Sequence, residues 1–377
     1  MDAVIKSLDN CALVRDGGDM RLRRMVDLVH RDTDAVYRVL RVGICGTDLQ
    51  IQRGARTDQA EVLGHEGIGL RINNSDSNTV AECEIFNPVD PNDQDSILGH
   101  SYDGLLRNYL VDDNPSRRTT AAHAALPVDL GPLVEPLGAV IYAWELMRPR
   151  LGPGAPVAIF GAGTAAILLA ILGEDFGYRP RLIHPRQERL DFVSELDVLR
   201  NVGFSDSAAP DSAAGVFLCL PREATSDVVA LAADCVTEDG IIDLFGGVPA
   251  GLRHPCLPHI DLGAIRRHNV CGQTPRHPHT PALTDTGKAV WATGHRGTSP
   301  QHLDQAQVRL IDEADRYATL ITDIISMDAA AQRIPLMARR HRPHREHVKV
   351  VVDPTMKAAS RPIDPHATVS DLLRRTR

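Results

Sequence analysis

The stretch Val157–Leu172, VAIFGAGTAAILLAIL, constrains the fold of this chain more than any other. A short apolar run rich in β-formers meets Gly161-Ala162-Gly163, and an unbroken apolar helix pattern follows. This is the sequence form of a buried parallel strand, a tight turn and a packed helix. Gly161 can adopt the turn's dihedrals. Gly163 lets a backbone approach a pyrophosphate held by the N–H groups of the following helix. Ala166 stands where the third glycine of G-x-G-x-x-G usually lies, a replacement the fingerprint tolerates. A glycine turn can be purely structural. Here a second short strand, Arg181-Leu182-Ile183, follows at the spacing of a dinucleotide-binding βαβ unit.

A chain of 377 residues is too long for one average core, so two domains are expected. With 43% apolar and 24% charged residues the composition is that of an ordinary globular protein. No apolar run reaches the length of a membrane span, and the first residues lack the basic-then-apolar pattern of a signal peptide. A net charge of −8 argues against nucleic acid or an anionic membrane as partner. The seven cysteines are an odd, scattered set with no C-x-x-C pair, which points to a reducing cytoplasm instead of a disulfide framework.

The first thirty residues read as short β-like segments. Val36, Tyr37, Val39, Leu40 and Val42 then crowd β-formers into a strand that ends at Gly43-Ile44-Cys45-Gly46-Thr47-Asp48. A cysteine at that tip can present a thiolate to a cleft. His65 and Glu66 follow side by side, and Glu135 stands before Pro136, a helix-starting proline. Singly, each is an ordinary buried or polar residue. Together they form a mixed sulfur, nitrogen and oxygen set suited to zinc, with the wide spacing of a site assembled from separate loops.

At this point the chain resembles the zinc-dependent medium-chain dehydrogenase/reductase family, in its polyol, sugar and threonine dehydrogenase branch. The motifs are GICGTDLQ (43–50), LGHEGIG (63–69), DGLLRNYLV (103–111), VEPLGAVIYA (134–143), VAIFGAGTAA (157–166), IIDLFGG (241–247) and HVKVVVD (347–353). The resemblance implies an α/β protein with a GroES-like β-rich catalytic domain and a doubly wound Rossmann cofactor domain, the active site lying between them. The expected boundaries are 1–147 for the first part of the catalytic domain, 148–297 for the cofactor domain, 298–355 for the return and 356–377 for a tail. Cys45, His65 and Glu66 match the family's zinc ligands. Glu135 matches the carboxylate that binds the metal or exchanges with its water, and Thr47 the hydroxyl that passes a proton from the substrate. Gly246 falls with the cofactor-binding positions. The relay's usual terminal histidine is replaced by Gln50, which cannot titrate.

Many relatives carry a four-cysteine lobe near residues 81–102, where this chain has only Cys83 and a proline-broken acidic run from Asn87 to Asp95. One catalytic zinc and no structural zinc are therefore expected. The acidic run reads as a solvated loop, not a calcium site. After the second strand, NAD-selective relatives place an acidic residue on the ribose. Here His184 holds that position, followed by Arg186 and Arg189, so NADP(H) is expected over NAD(H).

Ala214–Leu220 and Gly240–Gly247 read as further parallel strands, Ala224–Val236 and Gln301–Leu310 as helices, and Lys288–Gly294 as a short element. His341, His344 and His347 are spaced for a metal but sit among arginines with an intervening proline, which favours a solvated basic turn. The segment beyond Pro354 has no counterpart in the family and is expected to be mobile or an oligomer contact. The resulting expectation is a cytoplasmic homo-oligomer, dimeric or tetrameric. It transfers hydride between NADP(H) and a secondary alcohol or ketone of a sugar, polyol or cyclitol, in specialised metabolism. A zinc-free NADPH enoyl reductase and a non-catalytic nucleotide-binding regulator are the alternatives.

Overall fold

The computed structural model describes residues 5–30, 34–72, 82–90, 93, 95–112, 119–339 and 346–375. The chain divides into two compact units, residues 1–136 with 299–377, and residues 137–298. His341 and His344 lie outside the described residues, as do Pro91, Asn92 and Gln94 of the acidic run.

The first unit is built on a mixed sheet whose centre is the strand Ala35–Gly43. It pairs antiparallel with Glu66–Ile72, with Tyr109–Asp112 and with Lys349–Asp353. Beyond Lys349–Asp353 lie Ile321–Ser326 and then Ser360–Arg361, and beyond Glu66–Ile72 lie Glu82–Phe86 and Thr119–Ala121. A separate two-stranded ribbon, Ile5–Asp16 and Asp19–His30, turns through Gly17-Gly18, with Gly17 at φ 60°. A two-glycine hairpin loop suits the right-handed twist of the ribbon. Leu13, Val39, Ile51, Leu63, Leu105 and Val352 share one buried core, which joins ribbon, sheet and the helix Gly46–Gln52.

The second unit is a seven-stranded sheet, parallel except at one edge. Its order is Gly203–Ser205, Arg179–Ile183, Pro156–Phe160, Ala213–Leu218, Val236–Asp243, Ala289–Thr293 and the antiparallel Thr280–Leu283. Chain order reverses between Pro156–Phe160 and Ala213–Leu218. This is the switch point at which doubly wound sheets open a crevice beyond their strand ends. The helix Thr164–Asp175 buries every residue from Ala166 to Gly173, as its unbroken apolar pattern predicts. Trp144 is wholly buried, stacks on Tyr178 at 5.2 Å and donates its indole N–H to the Leu169 carbonyl at 3.1 Å.

Two expectations need correction. The helix read over Ala224–Val236 spans Arg222–Cys235, and the strand read from Gly240 begins at Val236 and ends at Asp243. Helix and strand abut, so no turn residue marks the junction; Asp239, at φ 58°, interrupts the ladder instead. The segment beyond Pro354 is no mobile tail over its described residues. Ser360–Arg361 adds a strand to the sheet, Val369 is buried, and Val369 N–H bonds to the Leu126 carbonyl at 2.9 Å. Arg361 pairs with Asp129 (2.5 and 2.8 Å), which also holds Arg41 at 2.7 Å, and Arg41 reaches Asp353 at 2.9 Å.

Candidate functional site

Three segments of the first unit converge on Cys45. The central strand ends at Gly43, and Cys45 caps the helix Gly46–Gln52. Glu66 opens the neighbouring strand, opposite Gly43 in register, with His65 just before it. A Cβ at Gly43 would stand 2.8 Å from Glu66 Oε2, so glycine there is what gives the carboxylate its room. Cys45, His65 and Glu66 each bring one ligand atom within 4.8 Å of the others.

Asp48 ties the two ligand-bearing loops together. Its carboxylate accepts the Cys45 N–H at 2.8 Å and the Gly64 N–H at 3.1 Å, and its Oδ1 stands 3.5 Å from His65 Nδ1. Burial disfavours charge on His65, but Asp48 and Cys45 outweigh it and hold its pKa well above the usual range. Burial likewise opposes the Asp48 charge, and His65 with the Cys45 N–H reverses the balance and lowers its pKa. A carboxylate behind an imidazole fixes the ring and its tautomer, as it does behind metal-bound histidines.

Lys349 is the second support. Its ammonium donates to Glu66 Oε2, and the two side chains are only 1% and 2% exposed. It opens the strand Lys349–Asp353, which pairs with Ala35–Gly43. Burial works against its charge, and Glu66 and then Cys45 prevail to raise its pKa.

Glu135 lies in the first turn of the helix Val134–Met147, outside the 4.8 Å cluster but within its field. Burial and the Glu66 charge push its carboxyl up to about 7, with His65 and Lys349 opposing. Thr47 is partly exposed in the first turn of the Cys45-capped helix, and Gln50 is buried with its amide donating to the Gly46 carbonyl at 3.3 Å. The sulfur, nitrogen and oxygen donors, one of them held by a buried counter-ion, fit a zinc ion.

In the second unit the glycine turn lies at the switch point. Gly161 has φ 134°, and a Cβ there would meet the Cys219 carbonyl oxygen at 2.5 Å. Gly163 caps the helix Thr164–Asp175, and the space where its Cβ would point is open. Ala166 is fully buried, so it packs and does not line the turn. Arg189 donates through Nε and an Nη to the Ala162 carbonyl at 3.0 and 2.6 Å, which anchors the turn from the side. Arg186 is exposed at the start of the helix Gln187–Ser194, and its N–H bonds to His184 Nδ1 at 3.2 Å. Gly246 is a packing requirement, since a Cβ would fall 2.2 Å from the Leu220 oxygen. The turn thus presents open space beside the start of the helix Thr164–Asp175, with the exposed Arg186 nearby in sequence order after His184.

Asp48, Lys349, His100 and Asp243 have no role in the sequence reading. Asp48 stands inside the quoted GICGTD motif and Lys349 inside HVKVVVD, so the signal was present without a partner to interpret it. Asp243 is fully buried at the end of its strand with no hydrogen-bond partner on either oxygen. Burial pushes its carboxyl up to about 8 against the opposing charge of Arg266.

A β-rich unit carrying a Cys/His/Glu set, interrupted in sequence by a doubly wound parallel sheet, is the arrangement that the resemblance to the zinc-dependent medium-chain dehydrogenases implies. Comparison with known proteins bears out the resemblance. The chain is 26% identical over 187 residues to a zinc-type alcohol dehydrogenase-like protein of Haemophilus influenzae, covering 44% of this chain and 54% of that one. It is 27% identical over 175 residues to the 2-dehydro-3-deoxy-L-galactonate 5-dehydrogenase of Pseudoalteromonas atlantica, covering 42% and 51%. The chain thus spans about half the length of the curated relatives it matches. Its fold superposes on a zinc-binding dehydrogenase of Sinorhizobium meliloti bound to NADP, with a TM-score of 0.66 at 18% identity over 92% of this chain and all of that one. No family model matches the chain. Among the described residues no helix is long and apolar enough to cross a membrane.

Proposed function

We propose that the chain is a zinc-dependent oxidoreductase. It interconverts a secondary alcohol and a ketone of a polyhydroxylated small molecule, with NADP(H) preferred. The observation that carries this reading is the Cys45, His65 and Glu66 cluster, locked by Asp48 and Lys349 in a chain that also holds a switch-point glycine turn. When bound, zinc would supply Lewis-acid polarisation of the substrate oxygen, and the nicotinamide the hydride chemistry.

The remaining work falls to the chain. Cys45 and His65 would hold the ion, with Asp48 fixing the His65 ring. Glu66, paired to Lys349, and Glu135, close to neutrality, are the two carboxylates available to complete the set. Thr47 would take the substrate's proton at its hydroxyl. Gln50 cannot carry it further, so the proton would leave through solvent or the ribose. On the cofactor side Gly161 and Gly163 would admit the pyrophosphate, while Arg189 holds the turn and Arg186 would meet the 2′-phosphate. A polyhydroxylated substrate, of sugar, polyol or cyclitol type, is supported by the sugar-acid relative and by the carboxylate-rich ligand set. One zinc per chain, a cytoplasmic setting and a dimeric or tetrameric assembly complete the proposal.

Elemental analysis of protein purified without chelator, paired with NADPH and NADH titrations and an alcohol and ketone panel, tests it. About one zinc, tighter NADPH binding and turnover on hydroxylated substrates are expected. Metal-free protein that reduces conjugated C=C bonds, or that binds nucleotide without turnover, would overturn it.

A further inference from the structure

Among the described residues His65 belongs to two ligand sets. Besides the cluster with Cys45 and Glu66, Asp48, His65 and His100 also bring one ligand atom each within 4.8 Å of one another, all three buried. His100 is 6% exposed, and neither ring nitrogen has a hydrogen-bond partner; His65 Nδ1 is met only by the Asp48 carboxylate, at 3.5 Å. The His100 backbone is fixed, its N–H bonded to the Ile97 carbonyl at 3.1 Å and its carbonyl accepting from Ala60 at 2.9 Å. Its ring stands edge-on to His65 with centroids 4.6 Å apart. A buried imidazole without a partner is costly, and something that accepts both lone-pair and charge would relieve it.

Two imidazole nitrogens and a carboxylate oxygen are a donor set for zinc, cobalt or nickel. Tetrahedral ligands roughly 2.0–2.2 Å from an ion lie about 3.3–3.6 Å apart, so the trio needs only a modest contraction. Two dications around one buried imidazole would repel strongly, which argues for one ion and two positions. We propose that Asp48, His65 and His100 form a second berth for the same divalent ion, used in alternation with the Cys45, His65 and Glu66 berth. The proposal rests on the zinc reading above and adds that the ion can leave the thiolate without leaving the protein.

Cobalt titration of the chelator-stripped full chain separates the two ideas, because cobalt bound to thiolate shows a charge-transfer band that nitrogen and oxygen ligands do not. The wild type should take up one equivalent with that band. Cys45→Ala, and Cys45→Ser as a parallel variant that keeps a polar cap, should still bind one equivalent, with d–d bands but no thiolate band. Adding His100→Phe, which keeps a ring against His65 but no ligand atom, should weaken this residual binding by roughly tenfold or more. Circular dichroism and NADPH binding report whether each variant is folded. Folded Cys45 variants that bind no cobalt, or that bind it unchanged after His100→Phe, overturn the second berth alone. A wild type that binds cobalt without the thiolate band overturns the Cys45 reading, and if His100→Phe alone then leaves that binding unchanged the second berth falls as well.

Discussion

Around Cys45 and His65 the polar groups are charged side chains, buried and tied to one another. Around Gly161 they are backbone groups, and the charges stand at the rim. Asp48, His65, Glu66 and Lys349 are each 6% exposed or less, whereas Arg186 is exposed and only Arg189 turns inward, to a carbonyl. A compact ion needs several ligand atoms held at fixed separations, which only braced side chains provide. A long anionic cofactor needs backbone room and a favourable field, which glycines and a helix start provide. Substitutions should therefore act steeply in the first region and gradually in the second.

The largest effect is expected from His65→Ala, which removes the residue common to both berths: zinc content and turnover should both vanish while NADPH binding persists. Retained stoichiometric zinc would break the contrast at its root. Next comes Lys349→Met, which strands the buried Glu66 charge. Removing one partner of a buried pair costs about 3–5 kcal/mol, and denaturant titration should show it. Lys349→Met with Glu66→Gln should recover much of that loss, and failure to recover would mean that Lys349 acts by packing alone.

Asp243 makes the second unit sensitive in its own way. Its folded pKa, about 8, lies above the unfolded value, so the folded form retains a proton that the unfolded form releases. The stability this contributes is full below about pH 4 and is lost as pH rises towards 8, at up to about 1.4 kcal/mol per pH unit. Asp243→Asn should flatten that slope over the same window, read by thermal or denaturant unfolding at several pH values. An unchanged slope would place the titration elsewhere. The smallest effect concerns cofactor choice. His184→Asp with Arg186→Ala should shift the NADPH-to-NADH affinity ratio by roughly tenfold or more, since charge-assisted hydrogen bonds contribute about 1.5–3 kcal/mol. A ratio left untouched would remove these residues from ribose recognition.

The features legible in the sequence were those written in short contiguous runs. VAIFGAGTAA carries strand, turn and helix within ten residues, and Cys45 and His65-Glu66 each sit in a dense local motif. What could not be read depends on long-range pairing. Lys349 meets Glu66 across 283 residues, and Arg361 meets Asp129 across 232. His100 gains meaning only through the ring packed against it. The strand start at Val236 was missed because Thr237-Glu238-Asp239-Gly240, polar and in part exposed, has the composition of a turn although it lies inside the strand.

The pairing of Lys349–Asp353 with Ala35–Gly43 has a consequence for synthesis on the ribosome. Residues 137–298 are continuous in sequence and can fold as soon as they emerge, whereas the sheet around Cys45 waits for a strand made after all of them. Until then Glu66 has no ammonium beside it and the Cys45 thiol has no finished enclosure. The braced form of the Cys45, His65 and Glu66 cluster is thereby deferred until the interrupting unit has been synthesised.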